Sequence, residues 1–399
     1  MSKNIQKMQN VKSVREVEIK DKRVLIRVDF NVPLDDELNI SDDTRIREAI
    51  PTINYCIDAG AKSIILVSHL GRPKGKSDEF SLKVILKRLE RLLNKNVVFA
   101  DLDNAQVTLN TLVDGSIILL ENIRFYEGEE KNDDNLSKKL ASLCDVYVND
   151  AFGTSHRKHS STYGVAKYAN VKVAGLLLKK EIDSFAVALS NPIRPLLLIV
   201  GGSKVSSKLT LLTSILDVVD KIVIGGAMSN TFLKAVGYDM KDSLVEDNLL
   251  EEAKNILRIA KEKHVKIYLP VDVVTTTKDK KDIKIVPAQD VPDERMAVDI
   301  GPATVRLFNE VIRDCETIIW NGPLGMYEDQ KFSRGTFSIS HTIADTYAYS
   351  VIGGGDTADA VNRAGDKDSI SFTSTGGGAS LELLEGVVLP AFEVLDTRE

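Results

Sequence analysis

Cysteine is scarce: Cys56, Cys144 and Cys315 are the only three in 399 residues, widely separated and with no CxxC pair. That spacing offers neither a disulfide framework nor a zinc site, and Cys56 and Cys144 fall in apolar, helix-like stretches where a buried thiol serves as a small hydrophobe. Positive charge is not in excess either, since the formal charge is -6 and the pI about 5.6. No overall field draws in nucleic acid or anionic lipid, so an anionic ligand must be met by local clusters of cations. Aromatic residues make up 6%, which gives no support to a base-stacking surface. No apolar run approaches the roughly 20 residues that span a bilayer, and the opening MSKNIQKMQN lacks the apolar stretch of a secretory signal. These absences predict a cytosolic chain with neither a membrane nor a nucleic-acid partner. The lack of short repeats and low-complexity segments excludes solenoid architectures.

What is present is the balance of a chain with a large core, 43% hydrophobic and 28% charged. At about 100 to 200 residues per domain, the length argues for more than one domain. Short β-branched or leucine-rich runs alternate with helical patterns, and each run ends in glycine, proline, asparagine or aspartate, as in βα units around a buried parallel sheet. The fold class is therefore α/β. Strands are predicted over Arg23–Val32, Ser63–Ser68, Ser116–Glu121 and Asp145–Asn149 in the first half. In the second half they are predicted over Pro195–Val200, Lys221–Ile224, Lys266–Leu269, Thr317–Trp320, Tyr349–Ile352 and Ser369–Thr373. Ile46, Ala49, Ile50, Ile53 and Ile57 share a face of a helix over Thr44–Ala59 with Asp42 or Asp43 as N-cap. Leu178–Leu189 reads as an amphipathic helix followed by Ser190, Asn191, Pro192 and Pro195, a composition suited to a junction between two sheets.

In open α/β sheets ligands bind beyond the carboxyl ends of the strands. After the first-half strands come Asp29-Phe30-Asn31-Val32-Pro33, Ser68-His69-Leu70-Gly71-Arg72-Pro73, Glu121-Asn122-Ile123-Arg124-Phe125, and Asn149-Asp150-Ala151-Phe152-Gly153-Thr154 leading to His156-Arg157-Lys158-His159. Arg45, early in the first helix, could join Arg72, Arg124 and Arg157 around one small anion, because guanidinium forks pair with phosphate and carboxylate oxygens. Taken singly, each arginine could equally be a solvated surface residue. A zinc site at His69, His156 and His159 lacks an acidic or cysteine partner, and the neighbouring arginines would repel a cation. Asp29 could act as a general base, although beside Asn31 it suits orienting substrate hydroxyls better.

The second half is equipped differently. Gly201-Gly202-Ser203-Lys204-Val205-Ser206-Ser207-Lys208 follows a strand and opens a helix, so its amides would face an anion, and Lys204 and Lys208 could share a face. Gly225-Gly226, Asn321-Gly322-Pro323-Leu324-Gly325, Gly353-Gly354-Gly355-Asp356-Thr357 and Thr375-Gly376-Gly377-Gly378 end further strands. Glycine admits close approach of a base or phosphates, and Asp356 could help place Mg²⁺. One glycine pair is usually a tight turn; five at successive strand ends suggest a nucleotide site. Gly71-Arg72-Pro73-Lys74-Gly75-Lys76-Ser77 misses a Walker A loop by one residue and has no helix opening at Ser77, so it reads as an exposed basic loop. The absence of GxGxxG weakens, without removing, a nicotinamide-dependent oxidoreductase as the alternative. A non-catalytic binding protein on the same fold is the other.

Arg27-Val28-Asp29-Phe30-Asn31-Val32-Pro33, Ser68-His69-Leu70-Gly71-Arg72-Pro73, Trp320-Asn321-Gly322-Pro323, Gly353-Gly354-Gly355-Asp356-Thr357 and Ser374-Thr375-Gly376-Gly377-Gly378-Ala379-Ser380 occur in the order found in the phosphoglycerate kinases, which the sequence resembles along nearly its whole length. The resemblance implies two Rossmann-like parallel-sheet domains joined by a hinge helix. Residues 1–177 would bind 3-phosphoglycerate, 178–195 form the hinge and linker, 196–380 bind the nucleotide, and 381–399 return to the first domain. It implies substrate contacts from Asp29, Asn31, Arg45, His69, Arg72, Arg124 and Arg157. Nucleotide contacts would come from Lys204, Lys208, Gly225, Gly226, Asn321, Pro323, Gly325, Glu328, Gly354, Gly355, Asp356 and Thr357, with Glu328 on the ribose and Asp356 on Mg²⁺. Arg45, Lys208, Gly354 and Gly355 would act on the transferred phosphoryl group. The implied activity is reversible phosphoryl transfer from 1,3-bisphosphoglycerate to ADP, giving 3-phosphoglycerate and ATP, in glycolysis and gluconeogenesis, by a hinge-bending monomer. Ala227 departs from the family pattern, which usually has a third glycine after Gly225-Gly226; its Cβ would limit positive φ and close approach. Ser203 and Ser207 also replace commoner residues.

Overall fold

A computed structural model describes residues 2–398. The chain divides into two compact units, one formed by Lys3–Asp183 with the segment from Val388 onward, the other by Ser184–Val387. Residues 381–387 therefore belong with the second unit, and the return to the first begins at Val388.

The first unit is built on a six-stranded parallel sheet of β1 (Arg23–Val28), β2 (Ser63–Val67), β3 (Val97–Ala100), β4 (Ser116–Leu120), β5 (Val146–Asp150) and β6 (Val171–Ala174). Their order is β3-β4-β2-β1-β5-β6. Helices cover both faces, so β2 is buried throughout and reads SIILV without alternation. Val24, Ile26, Ile64, Leu66, Ile117, Leu119 and Val148 join Ile46, Ala49, Ile53 and Cys56 of the helix Thr44–Asp58 in one core. Ile50 and Ile57, placed on that face by periodicity, are only half-buried. Asp42 accepts from the Thr44 amide at 2.8 Å. Asp43, at the N-cap position, makes no capping bond; its carboxylate holds Arg47 and Arg88. β1 stops four residues before its expected end, because Phe30 turns away to donate its amide to the Ser68 hydroxyl at 2.8 Å. The last residues pair with the start of the chain, with Val11 opposite Thr397 and Arg398 forking Glu16 at 2.7 and 2.9 Å.

The second unit repeats the plan with β7 (Leu196–Val200), β8 (Lys221–Ile224), β9 (Lys266–Tyr268), β13 (Thr317–Asn321), β14 (Tyr349–Gly353) and β15 (Phe372–Thr373). The order is β15-β14-β13-β7-β8-β9, all parallel. Trp320, Phe308, Ile318, Ile339 and Ile352 centre its core. A second sheet, absent from the sequence reading, is antiparallel: β10 (Asp272–Thr276), β11 (Ile283–Pro287) and β12 (Met296–Ile300), with β10 in the middle.

The chain passes from one unit to the other within the helix Leu176–Ser190. Only Lys180 and Val187 of this helix are exposed, so it is buried nearly all round rather than amphipathic. Its N-terminus is held by Thr52, which accepts from the Leu176 amide at 2.9 Å, and by Asp150 Oδ1, which accepts from Leu177 and Leu178 at 2.9 and 3.1 Å. Gly175 leaves room for that carboxylate, since a Cβ there would lie 2.1 Å from Asp150 Oδ1. Asp150 Oδ2 has no hydrogen bond. Burial pushes the carboxyl up to about 7, with Glu48 adding to the rise and Thr52 and the helix amides opposing it. A carboxyl raised on folding from 3.8 stabilises fully below about pH 4, and that contribution is lost as pH rises through 7. The melting temperature of Asp150→Asn relative to the unsubstituted protein should therefore improve from pH 5 to pH 8. A difference independent of pH would contradict this assignment.

Candidate active site

In the first unit the expected residues lie at the carboxyl ends of the four central strands. Asp29 sits just past β1 and receives Arg45 Nη1 at 3.0 Å, with His69 Nδ1 3.9 Å from its other oxygen. Asn31 Oδ1 accepts from the Gly71 amide at 2.7 Å, and Arg124 Nη1 donates to the Gly71 carbonyl at 2.6 Å, so one glycine ties two strand ends together. Arg157 Nε donates to His156 Nε2 at 3.1 Å. Arg72 stays exposed and makes no hydrogen bond or ion pair among the described residues.

The histidines register the field of this cluster. Burial holds His69 neutral well below the usual imidazole range, and Arg27, Arg124, Arg45 and Arg157 push it further down. His159 is lowered to about 4 by burial and then by Arg124, Arg27 and Arg157. Burial and Arg157 likewise lower His156. Four guanidinium groups thus act on one region in which Asp29 pairs with Arg45 at 3.0 Å and Glu130 with Arg124 at 3.3 Å.

Two members of this network escaped sequence reasoning. Arg27 is buried within β1, where Nη2 meets His69 Nδ1 at 3.1 Å and Nε donates to Ser161 Oγ at 2.9 Å. Its signal was a cation inside an otherwise apolar strand. Glu129, wholly buried, accepts from Ser161 Oγ at 2.6 Å and from the Ser161 amide at 2.9 Å. Burial raises its carboxyl while Arg27 pulls it down. No spacing marks it.

In the second unit the glycine turns follow β7, β8, β13 and β14, again the four central strands. They are stitched by backbone: the Gly202 amide donates to Pro323 O at 2.9 Å, Gly226 to Leu324 O at 2.9 Å, and Gly201 to Asn321 O at 3.1 Å. Thr357 accepts from the Gly322 amide at 2.6 Å, fixing the turn after β13 to the helix Gly355–Ala364. Gly354, at φ +94°, precedes that helix, whose first turn carries Asp356. Gly325 packs against Asp299, with no space for a Cβ.

Lys208 Nζ donates to the Asn321 carbonyl at 3.3 Å. Burial lowers the amine to about 8, opposed by Asp356 and Glu385. Residues 201–208 form turns, and the helix starts only at Leu209, so Lys204 and Lys208 do not share a helical face; Lys204 is exposed. Ala227 has φ -64°, and the positive angle falls on Gly226 at +65°, so the alanine meets no backbone strain. Glu328 and Asp356 are exposed carboxylates without hydrogen bonds or ion pairs among the described residues. In the basic loop, a 3₁₀ turn over Asp78–Phe80 does follow Ser77, and the Phe80 ring packs on Gly71.

The family model described as phosphoglycerate kinase matches residues 14–387. The chain belongs to the phosphoglycerate kinase family. It is 74% identical to the phosphoglycerate kinase of Wolinella succinogenes over 100% of both chains. It is 66% identical to that of Helicobacter pylori over 98% of each. Among solved structures, the phosphoglycerate kinase of Coxiella burnetii is similar with TM-score 0.88 at 41% identity, covering 96% of this chain and 98% of that one. That of Pyrococcus horikoshii gives 0.84 at 29% identity with the same coverage. Membership accounts for the two six-stranded parallel sheets.

The glycine turns separate into two kinds. A Cβ on Gly201 would lie 2.1 Å from the Pro323 carbonyl oxygen, which is backbone and cannot swing away, whereas a Cβ on Gly355 meets nothing within 4 Å. Gly201→Ala should lower stability by about 1 to 3 kcal/mol and Gly355→Ala should leave it nearly unchanged. Denaturant unfolding of the two variants checks the contrast; equal losses would show that the turns are not in contact as described.

Proposed function

We propose that this chain catalyses the reaction for which its family is named, reversible transfer of a phosphoryl group between ATP and the carboxylate of 3-phosphoglycerate. The observation that carries the reading is a pair of unlike strand-end sites, one crowded with guanidinium groups beyond its fixed counter-charge, the other made of closely packed glycine turns, a half-buried lysine and the open amides of a helix start. In the first unit Arg45, Arg72, Arg124 and Arg157 would take the phosphate and carboxylate of the acid, with Asp29, Asn31 and His69 receiving its hydroxyl and polar edge. A neutral His69 suits this role, since its ring can donate and accept without adding charge.

In the second unit Gly225, Gly226, Pro323 and Gly325 would line the base, Glu328 meet the ribose, and Lys204, Lys208, Asn321 and Thr357 the phosphates. The first-turn amides after Gly354, from Gly355 onward, have no partners within the helix and suit phosphate oxygens. Asp356 is a free, exposed oxygen donor beside them, as a Mg²⁺ bound mainly through nucleotide and water requires. When present, Mg²⁺ would neutralise phosphate charge.

The attacking carboxylate, with a pKa near 4, is ionised at neutral pH, so no side chain has to remove a proton. What remains is to hold charge on the equatorial oxygens of a loose transition state, for which Arg45, Lys208, and the amides at Gly354 and Gly355 are suited. The reacting atoms must come within about 3 to 3.5 Å, so the ligands of the two units have to be brought together, with the helix Leu176–Ser190 as the segment about which that occurs. Water is excluded by the same step, which limits hydrolysis of ATP.

Lys208 gives the test a specific pH signature. Its charge is present below about 8 and lost above, so kcat/KM for nucleotide should fall on a basic limb near pH 8. A coupled assay of 3-phosphoglycerate phosphorylation over pH 6–10 reads this. Lys208→Arg should move the limb beyond pH 10; no turnover, or a limb unmoved in that variant, would contradict the assignment.

A further inference from the structure

The loop after β13 is fastened to the helix Gly355–Ala364 at two points. At its start, Thr357 Oγ1 accepts from the Gly322 amide at 2.6 Å. At its far end, the Tyr327 hydroxyl donates to Asp359 Oδ2 at 3.0 Å, spanning 32 residues of sequence. Asp359 is held in turn by Arg363 Nε at 2.8 Å, and the Arg363 guanidinium lies 5.6 Å from the centre of the Tyr327 ring. Tyr327 is buried, at 4% exposure, whereas the next residue, Glu328, is exposed and without a partner. A fixed phenol immediately before a free carboxylate restricts where that carboxylate can stand. The loop meets the same helix that carries Asp356 and Thr357, so the tie sets the distance between Glu328 and the phosphate end of the site. Met326 adds a backbone bond to Val298 O at 2.9 Å on the opposite side, leaving Tyr327 as the contact that faces the helix.

We propose that Tyr327 is a positioning residue for nucleotide binding: through Asp359 and Arg363 it fixes the loop so that Glu328 is aligned with the ribose hydroxyls. The inference rests on the proposed reading of Glu328 as the ribose contact. It does not require Tyr327 to touch the nucleotide, and it assigns Asp359 and Arg363 a purpose that the phosphoryl-transfer chemistry leaves unused. The carboxylates facing the phenol are Asp359, Asp356 and Glu328, and only Asp359 is hydrogen-bonded to it.

The experiment compares ADP with 2′,3′-dideoxyADP by calorimetry with Mg²⁺, alongside steady-state kinetics, on the full chain. Tyr327→Phe keeps the ring and removes only the hydroxyl. It should weaken ADP about threefold to tenfold, the range of one lost hydrogen bond. Binding of dideoxyADP, kcat, and KM for 3-phosphoglycerate should stay as they are. Asp359→Ala should reproduce the loss, Asp359→Asn, which keeps an acceptor, should largely avoid it, and Tyr327→Phe should add nothing once Glu328→Ala is present. An unsubstituted protein that binds both nucleotides equally overturns the ribose reading and the inference with it. Preference for ADP in the unsubstituted protein, undiminished by Tyr327→Phe, overturns the inference alone. So does a variant that loses equal affinity for both nucleotides, since the tyrosine would then support the loop without aligning Glu328.

Discussion

Positive charge held close together, with less fixed negative charge than it needs, is the constraint around which this molecule is organised. In the first unit, Arg27, Arg45, Arg124 and Arg157 act on a common region, and burial first, then these guanidinium groups, hold its histidines neutral. Asp29 offsets Arg45 directly, Glu130 pairs with Arg124 at 3.3 Å, and buried Glu129 is linked to Arg27 through Ser161, which leaves four guanidinium groups facing three carboxylates. Like charges so arranged repel, and the surrounding fold has to restrain them. On the reading proposed above, a bound anion with two charged ends would relieve that repulsion. The second unit carries less positive charge, with one half-buried lysine, on which Asp356 and Glu385 act, and the amides at a helix start.

Parallel sheets make this arrangement possible. Their carboxyl ends point the same way, so residues from four strands converge although they are far apart in sequence. β2, β4 and β5 flank or follow β1 in the order that brings Asp29, His69, Arg124 and Arg157 to one edge. In the second unit, the turns after β7 and β13 approach so closely that Gly201 and Gly322 cannot carry side chains. Backbone takes the place of side chains there, which fits a ligand whose phosphates are read by amides and whose base needs a flat, narrow slot. A helix starts after Gly354 beside these turns, and another at Leu176 carries the passage between units.

Much of this was legible from residues alone. Strands buried on both faces betray themselves as continuous apolar runs, and the arginines and glycines read after such runs do lie at the carboxyl ends of the central strands. The parts that were not legible have physical reasons. β3 and β6 have only four residues each, and the antiparallel sheet is laced with polar residues and leaves most of β11 exposed, so neither carries a buried-strand signature. Lys204 looked like a helical partner of Lys208 because spacing is blind to where a helix begins. Ala227 looked costly because sequence does not say which residue of a glycine turn takes the positive angle. Glu129 and Arg27 were hidden because their meaning lies in a contact made through Ser161, more than thirty residues away from either.

The charge imbalance is measured most directly on an imidazole within it. The chain has five histidines, few enough for each ring signal to be assigned by substitution. NMR titration of His159 in the free protein should find it neutral down to the region of pH 4, and saturation with 3-phosphoglycerate should raise its pKa, because the bound anion offsets Arg124, Arg27 and Arg157. A ring that titrates near its ordinary value of 6.5 in the free protein, or one that the ligand leaves unmoved, would contradict the account.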